Sequence, residues 1–293
     1  MSESEAAAEV ATMSENAEDG AGCEKSKLPT TASNNVNIED EIAMADRQNR
    51  EIEEERNRQP LVGDKVPFES LCCEYNLNDS PEFYTKALDL CNSYEFIRNI
   101  RRDGNCFYRA ILFAQVELMY SDPDERARFD SVCRGWHKRL IDLNFPEFTT
   151  TDFCEAFYEF LDTIIKGERT FAEQMAIIFL DDNQANYLIL FLRLMASGYL
   201  REHEADFAPF IEGVRSFSEF CQMEIEAMWK DVDHLAIMGF VAAAGISIRV
   251  EYMDQSAAPD GGWHYDFPPD SASPPHIHLL YRPGHYDIIY PKS

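Results

Sequence analysis

Residues 101–110 read RRDGNCFYRA and lead into a largely apolar stretch that ends near Leu118. Asp, Gly and Asn favour turns, and the apolar stretch predicts a buried helix that begins close to Cys106. Cys106 is therefore expected in the first helical turn, where the partial positive charge of the helix terminus favours a thiolate over a thiol. The backbone N–H groups of Asn105 and Cys106 are expected to stay free to bind a developing oxyanion. One short segment is thus predicted to hold a nucleophile and its oxyanion hole.

A second segment supplies the partners that a thiolate nucleophile needs, a base and a group that orients the base. Residues 284–287 read GHYD, so His285 leaves a predicted turn and Asp287 follows two positions later. Side chains two positions apart on a strand share a face, and the carboxylate can fix the imidazole tautomer. A buried structural cysteine, a turn histidine and a solvated aspartate are the alternative interpretations. The cysteines at positions 72, 73, 91, 133, 154 and 221 lie in predicted helices without such partners.

The remaining pattern predicts an α+β fold. Helices are expected from Pro81 toward Cys91, Cys106 to Tyr120, Asp124 to Leu143, Thr151 to Ile165, Phe171 to Phe179, Ala185 to Ala196 and Phe217 to Trp229. A last helix, capped by Asp233, is expected to run to Ala244. Beyond Gly245 the apolar period changes to two, which predicts strands at 246–252, 277–281 and 286–290, with a hairpin turn at 283–284. Helices thus come first, and an antiparallel sheet is expected at the C-terminal end.

The first 60 residues are predicted to form an arm rather than part of the core. Residues 1–37 are an acidic segment with few large apolar groups, which predicts disorder. Residues 38–60 contain many helix formers, but Ile38, Ile42 and Ala45 give only a thin apolar stripe. Such a helix suits docking on a partner, and a solvated charged linker is the alternative. The catalytic domain is expected to comprise residues 61–293.

The charge balance narrows the choice of partners and compartment. The chain has 26 basic and 53 acidic residues and a net charge of −27, which opposes nucleic-acid binding and favours a basic partner. The first 19 residues carry five Glu and one Asp and no basic residue, unlike a targeting peptide. No apolar run reaches membrane-spanning length. The eight cysteines show no CxxC pair, so we expect reduced thiols in the cytosol or nucleus.

Metal and cofactor chemistry have little support in the sequence. His264, His276 and His278 form a conceivable three-histidine cluster, but no Cys or Glu at ligand spacing completes it and no HExxH motif is present. Neither GxxxxGK[ST] nor GxGxxG occurs. We therefore expect no metal and no cofactor.

Two of these segments resemble a known family. DGNCFYRA at 103–110 and YRPGHYD at 281–287 are similar to the otubain subgroup of the ovarian-tumour-type cysteine deubiquitinases. Further similarity at SGYL, FIEG, EFCQ and VEYMD, beginning at residues 197, 210, 219 and 250, extends the resemblance over about residues 40–293. The resemblance implies a papain-like α+β fold, with Cys106 as nucleophile, His285 as general base and Asp287 as its orienting group. It also implies that Asp103 shapes the oxyanion-hole loop.

The same resemblance implies a substrate and partners. The substrate would be the isopeptide bond between ubiquitin units, with preference for the chain linkage that targets proteins to the proteasome. Ubiquitin and polyubiquitin carry basic groups at the tail and binding face, which an acidic enzyme would attract. The alternative role is inhibitory, in which the protein binds ubiquitin-conjugating enzymes and blocks ubiquitin transfer without cleavage.

The segment from Gln255 to Pro275 is the expected contact for the distal ubiquitin, the unit whose tail enters the active site. It holds five Pro and two Gly between two predicted strands, and long loops in compact domains are usually functional. The candidate ubiquitin-binding residues are Trp263, His264, Tyr265, Asp266 and Phe267 in this loop, Met228 in the preceding helix, and Ile38, Ile42 and Ala45 in the arm, which would contact the proximal ubiquitin. An ordered loop with its aromatic residues packed down is the alternative.

Overall fold

A computed structural model describes residues 43–44, 47–48, 58–211, 213, 216–254, 264–269 and 274–292. The chain divides into two units, Met1–Gln48 and Asn49–Ser293. In the first unit the four described residues are helical and exposed. The candidates Ile38, Ile42 and Ala45 and the predicted disordered arm lie outside the described residues, as does Trp263.

Most of the second unit is helical, as the sequence predicts. The helices are α1 (Glu69–Cys72), α2 (Pro81–Ser93), α3 (Cys106–Ser121), α4 (Pro123–Arg134), α5 (Trp136–Asp142), α6 (Glu147–Lys166), α7 (Phe171–Ile178), α8 (Asp182–Glu202), α9 (Glu204–Phe207), α10 (Phe217–Phe220) and α11 (His234–Ala244), with a 3₁₀ turn at Ala208–Phe210 and a π-helical turn at Cys221–Ile225. None of the described helices is both long and apolar enough to cross a bilayer.

Several helix boundaries differ from the prediction. The expected helix Asp124–Leu143 is two helices, because the chain turns at Gly135 between α4 and α5. The helix expected to reach Trp229 ends at Ile225, and Trp229 itself adopts a left-handed conformation with φ of 57°. The α11 prediction is confirmed at both ends, since Asp233 accepts a hydrogen bond from the Ala236 amide and Gly245 ends the helix at φ 61°.

The sheet has six strands in the order β1-β2-β6-β5-β3-β4. The strands are β1 (Val62–Pro67), β2 (Tyr94–Ile100), β3 (Ile248–Tyr252), β4 (His264–Phe267), β5 (Ile277–Arg282) and β6 (His285–Pro291). The predicted β5–β6 hairpin is confirmed, with Arg282 opposite His285.

The α+β class is confirmed, whereas two details of the predicted sheet are wrong. First, β3 and β5 are parallel, because β4 pairs antiparallel with one edge of β3 and the chain then returns to its other edge. Second, β1 and β2 add two strands from the N-terminal half of the domain. The burial of β2 does not alternate along the strand, so its sequence lacks the period-two signal that predicts strands.

Helix α3 lies at the centre of the main core. It packs against β6, α4 and α8. Phe107 is fully buried, and its ring meets the ring of Tyr286 edge-on at 5.3 Å between centroids. The start of α3 is thereby fixed beside β6, and Cys106 with it.

Gly198 in α8 offers a test of how closely these helices pack. A Cβ at this position would lie 2.8 Å from the Trp136 ring and 2.9 Å from a Leu140 methyl group. We expect Gly198→Ala to lower the free energy of unfolding by about 1–3 kcal/mol, because overpacking outweighs the gain of about 1 kcal/mol in helix propensity. Urea denaturation measures this change. An unchanged or higher stability would show that Trp136 and Leu140 have room to move.

Candidate active site

Cys106 is the first residue of α3, and its side chain is only 3% exposed. Burial raises the pKa of its thiol to about 12. The backbone N–H of Tyr286 donates to the sulfur and lowers the pKa, while the carboxylates of Asp103, Asp287 and Asp231 raise it. Burial and neighbouring negative charge therefore oppose the thiolate that the helix terminus favours, and neither could be read from the sequence.

One of the two expected oxyanion donors already makes a hydrogen bond within the loop before Cys106. The Asn105 amide donates to Asp103 Oδ1 at 3.0 Å, so the expectation that it is free is wrong in this structure. Cys106 is the first helical residue, so its amide has no intrahelical acceptor. The Asn105 side chain is fully buried, and its Oδ1 accepts from the Trp229 amide at 3.0 Å.

Asp103 ties this loop to the helix that follows. Its carboxylate faces the guanidinium of Arg109, with Oδ1 2.7 Å from Nη1 and Oδ2 2.6 Å from Nη2. Arg109 is fully buried one turn into α3. The two contacts to Arg109 and the one to Asn105 therefore hold Asp103 and the turn in place.

His285 and Asp287 meet on one face of β6, as their spacing predicts. His285 Nε2 lies 2.8 Å from Asp287 Oδ1, and both side chains are buried. Asp287 Oδ1 also accepts from the Ile100 amide of β2 at 2.9 Å. His285 Nδ1 is buried and has no hydrogen-bond partner in the described part of the chain. This nitrogen is the one that can accept a proton.

Sequence reasoning missed Arg282, which completes the surroundings of Asp287. Its Nη2 donates to Asp287 Oδ2 at 2.6 Å, and its Nη1 donates to Glu74 Oε2 at 2.7 Å. Burial opposes ionisation of Asp287, but His285, Arg282 and the Ile100 amide outweigh it and hold the pKa below its usual range. Arg282 stands directly before the hairpin turn that precedes His285, and this cross-strand position is the signal that could have identified it.

The candidate ubiquitin-binding residues 264–267 form β4, which pairs with β3. Tyr265 is 51% exposed, whereas Phe267 is 3% exposed and its ring packs against His234. Asp266 forms an ion pair with Arg249. Met228 is half-buried against the core. Of the candidates that the structure describes, Tyr265 alone presents an exposed aromatic ring.

An apolar cavity of about 670 Å³ lies beside β4. It is lined by residues of α8, α11 and β4 and by the chain that follows β4, including Tyr199, Met238, Val241, Tyr265 and Pro268. The exposed ring of Tyr265 therefore forms part of the wall of a concave apolar surface.

Two of the three histidines in the conceivable metal cluster have other partners. His278 Nδ1 lies 3.0 Å from the Tyr94 hydroxyl, and its Nε2 lies 3.1 Å from the Pro275 carbonyl oxygen. His264 Nδ1 is 3.8 Å from Glu251. Among the described residues, no three His, Cys, Asp or Glu side chains converge on a position that could hold a metal ion.

A cysteine at a helix start, packed against a strand that carries a buried His–Asp pair, defines a thiol hydrolase of papain-like architecture. The chain belongs to the peptidase C65 otubain family, whose model matches residues 54–291. Curated relatives that this chain resembles are named ubiquitin thioesterases.

The similarity to relatives extends over most of each chain. The otubain-like ubiquitin thioesterase of Caenorhabditis elegans is 47% identical over 259 residues, which are 88% of this chain and 91% of the relative. Ubiquitin thioesterase OTUB1 of Homo sapiens is 39% identical over 251 residues, 86% of this chain and 90% of the relative. A solved structure of ceOTUB1 with ubiquitin aldehyde and UBC13~Ub superposes with a TM-score of 0.80 at 47% identity, covering 84% of this chain and 100% of that chain.

The raised pKa of Cys106 predicts slow chemical modification of the free enzyme at neutral pH. Only the thiolate reacts with iodoacetamide, so the rate at Cys106 should rise about tenfold per pH unit between pH 7 and pH 10. Peptide-resolved mass spectrometry after timed alkylation measures this rate, with the exposed Cys73 as reference for reagent quality. A rate that is fast and independent of pH over this range would show that the thiolate dominates at rest.

Proposed function

We propose that this enzyme hydrolyses isopeptide bonds in polyubiquitin, with Cys106 as nucleophile, His285 as general base and Asp287 as the group that orients His285. The observation that carries the proposal is the position of Tyr286. Its backbone N–H lowers the pKa of the Cys106 thiol, while the residues on either side of it form the buried His–Asp pair. The strand residue that acts on the thiol is thus flanked by the pair proposed as its base and orienting group.

The protonation of the imidazole follows from its partner. An ionised carboxylate can only accept hydrogen bonds, so His285 Nε2 carries the proton that points to Asp287. His285 Nδ1 then holds the lone pair and takes the proton of the Cys106 thiol. Asp287 stabilises the imidazolium that forms, because Arg282 and the Ile100 amide keep its carboxylate ionised.

The resulting thiolate attacks the carbonyl carbon at the ubiquitin C-terminus. The carbonyl oxygen becomes an oxyanion, for which the Cys106 amide is the donor that the helix start leaves available. The Asn105 amide is held by Asp103 and positions the loop instead. The imidazolium gives its proton to the leaving amine, and water then hydrolyses the thioester with His285 again as base.

The distal ubiquitin is proposed to bind at β4 and the adjoining cavity. Tyr265 is exposed there, and the cavity offers an apolar surface of the kind that anchors interfaces. The net charge of −27 attracts the basic groups of ubiquitin during the encounter. Preference for the proteasome-targeting linkage is proposed from the otubain family membership, and the contact that selects it lies with the proximal ubiquitin.

Inhibition of ubiquitin-conjugating enzymes is the second candidate role. It is favoured because the structurally similar ceOTUB1 was solved with ubiquitin aldehyde and UBC13~Ub, and a related h/ceOTUB1 chain with UBCH5B~Ub at a TM-score of 0.80. A Cys106→Ala protein that still suppresses ubiquitin chain synthesis by a conjugating enzyme would establish this binding role, whereas loss of suppression would tie it to cleavage.

Purified protein is expected to cleave diubiquitin, fastest for the proteasome-targeting linkage, when assayed against a panel of differently linked diubiquitins. Cys106→Ala should abolish cleavage, because no other group supplies the nucleophile. His285→Ala should reduce kcat nearly as much, because the base itself is lost. Asp287→Ala should reduce kcat less, because the imidazole remains and only part of its orientation is lost with the carboxylate. Circular dichroism controls for folding. Residual cleavage by folded Cys106→Ala would refute the assignment.

Tyr265→Ala should raise KM for a fluorogenic monoubiquitin substrate more than it lowers kcat, because a contact remote from the reacting bond supplies uniform binding. We expect a KM increase of about tenfold, typical of an aromatic interface residue. Phe148→Ala is the matched control, since Phe148 is an aromatic residue that is 87% exposed on α6. Equal KM values for the two variants would exclude Tyr265 from the binding surface.

A further inference from the structure

Arg193 of α8 is a fully buried arginine that lies next to the active site. Its Nη2 donates to the Gly104 carbonyl at 2.9 Å, to Asn105 Oδ1 at 3.0 Å and to the Lys230 carbonyl at 2.9 Å. Its Nη1 donates to the Ile225 carbonyl at 3.1 Å. All four acceptors are neutral oxygens, so these bonds hold chain segments in place without neutralising the guanidinium.

The four acceptors come from two segments. Gly104 and Asn105 belong to the turn directly before Cys106, whereas Ile225 and Lys230 border the segment that follows the π-helical turn. A rigid guanidinium fork with several donors suits such a junction, because it fixes the direction of each carbonyl group. Arg193 thus joins the turn that carries the nucleophile to the segment 225–230.

One peptide plane is held at both ends. The Gly104 carbonyl points to Arg193, and the amide of the same peptide group, on Asn105, points to Asp103. Carbonyl and amide of a trans peptide point in opposite directions, so the two contacts fix the orientation of the plane together. Because this plane directly precedes Cys106, its rotation would displace the Cys106 amide and sulfur.

The segment 225–230 packs closely against the turn that precedes Cys106. Gly104 has φ of 75°, and a Cβ on it would lie 2.3 Å from the Trp229 carbonyl group. The Trp229 amide donates to the same Asn105 oxygen that Arg193 binds, and Trp229 is held at φ 57°, a strained conformation for a bulky residue. Arg193 therefore binds the turn at the same side-chain oxygen that contacts the strained residue Trp229.

The charges around Cys106 also make the position of Arg193 significant. Carboxylates of three segments raise the pKa of the thiol: Asp103 in the turn, Asp287 on β6 and Asp231 before α11. His285 on β6 is the proposed base. Arg193 of α8 contributes positive charge at the turn directly before Cys106.

We propose that Arg193 is a positioning residue for catalysis, which fixes the Gly104–Asn105 peptide and places positive charge beside the turn that carries Cys106. The inference rests on the proposed function of Cys106 as nucleophile. Helix α8 carries none of the proposed reacting groups. Through Arg193, it would nevertheless align the turn that carries Cys106.

Substitution of Arg193 by Met and by Lys separates the contribution of charge from that of geometry. Arg193→Met removes both the fork and the charge, whereas Arg193→Lys keeps the charge and loses the fork. On a fluorogenic monoubiquitin substrate, both should lower kcat by about ten- to a hundredfold, the effect of a misplaced reacting group, while KM changes less than about twofold. Arg201→Met is the matched control, because Arg201 lies on the same helix and pairs with Glu226 in the segment 225–230, whereas Arg193 binds both that segment and the turn.

Alkylation of Cys106 by iodoacetamide across pH 7–10, normalised to Cys73, gives a readout that needs no ubiquitin. Arg193→Met should slow it at every pH, and Arg193→Lys should restore much of the rate. Both results are compared at equal folded fraction by circular dichroism. If Arg193→Met fails to fold, Arg193→Lys alone decides through its kcat.

The proposal is overturned if folded Arg193→Met or Arg193→Lys keeps the kcat of the unsubstituted protein, or if Arg201→Met loses as much. An alkylation profile identical to that of the unsubstituted protein would overturn the electrostatic part. Failure of the unsubstituted protein to cleave any ubiquitin substrate would instead refute the proposed function, and the alkylation profiles would still test the role of Arg193.

Discussion

The buried carboxylate of Asp287 is the constraint on which the arrangement of this site depends. A carboxylate with no exposed surface stays ionised only if donors replace its lost hydration. The structure provides three: the imidazole of His285, the guanidinium of Arg282 and the Ile100 amide. These donors come from β6, β5 and β2, so the central strands must be in register before the carboxylate is satisfied. Sheet topology and imidazole orientation are therefore coupled.

A second buried charge, the guanidinium of Arg193, binds the turn directly before the thiol. Arg193 binds neutral oxygens, and Asp103 with Arg109 closes the turn from the other end. Buried polar groups are costly unless every partner is in place, and when they are, the network holds a single arrangement. The site thus combines a buried thiol, whose pKa is raised by burial, with a turn held by several hydrogen bonds. In the proposed mechanism, proton transfer to His285 is what activates Cys106.

Local signals in the sequence were sufficient to locate most of the helices and to pair His285 with Asp287. The Asp233 cap and Gly245 bound α11 because both act through backbone geometry within a few residues. His285 and Asp287 could be paired because strand periodicity alone puts them on one face. The same reasoning failed for the direction of β5, since alternation carries no information about which strand lies alongside. It failed for β2, whose neighbours on both faces remove the alternation.

The sequence by itself determined the α+β class, the start of the helix at Cys106 and the His–Asp pair, because each follows from contacts between residues close in the chain. Tertiary structure decided the environment of those residues. The pKa of Cys106, the occupied amide of Asn105 and the contacts of Arg193 and Arg282 depend on which distant segments surround them. Desolvation and the sum of nearby charges are properties of three-dimensional packing, and no spacing along the chain encodes them directly.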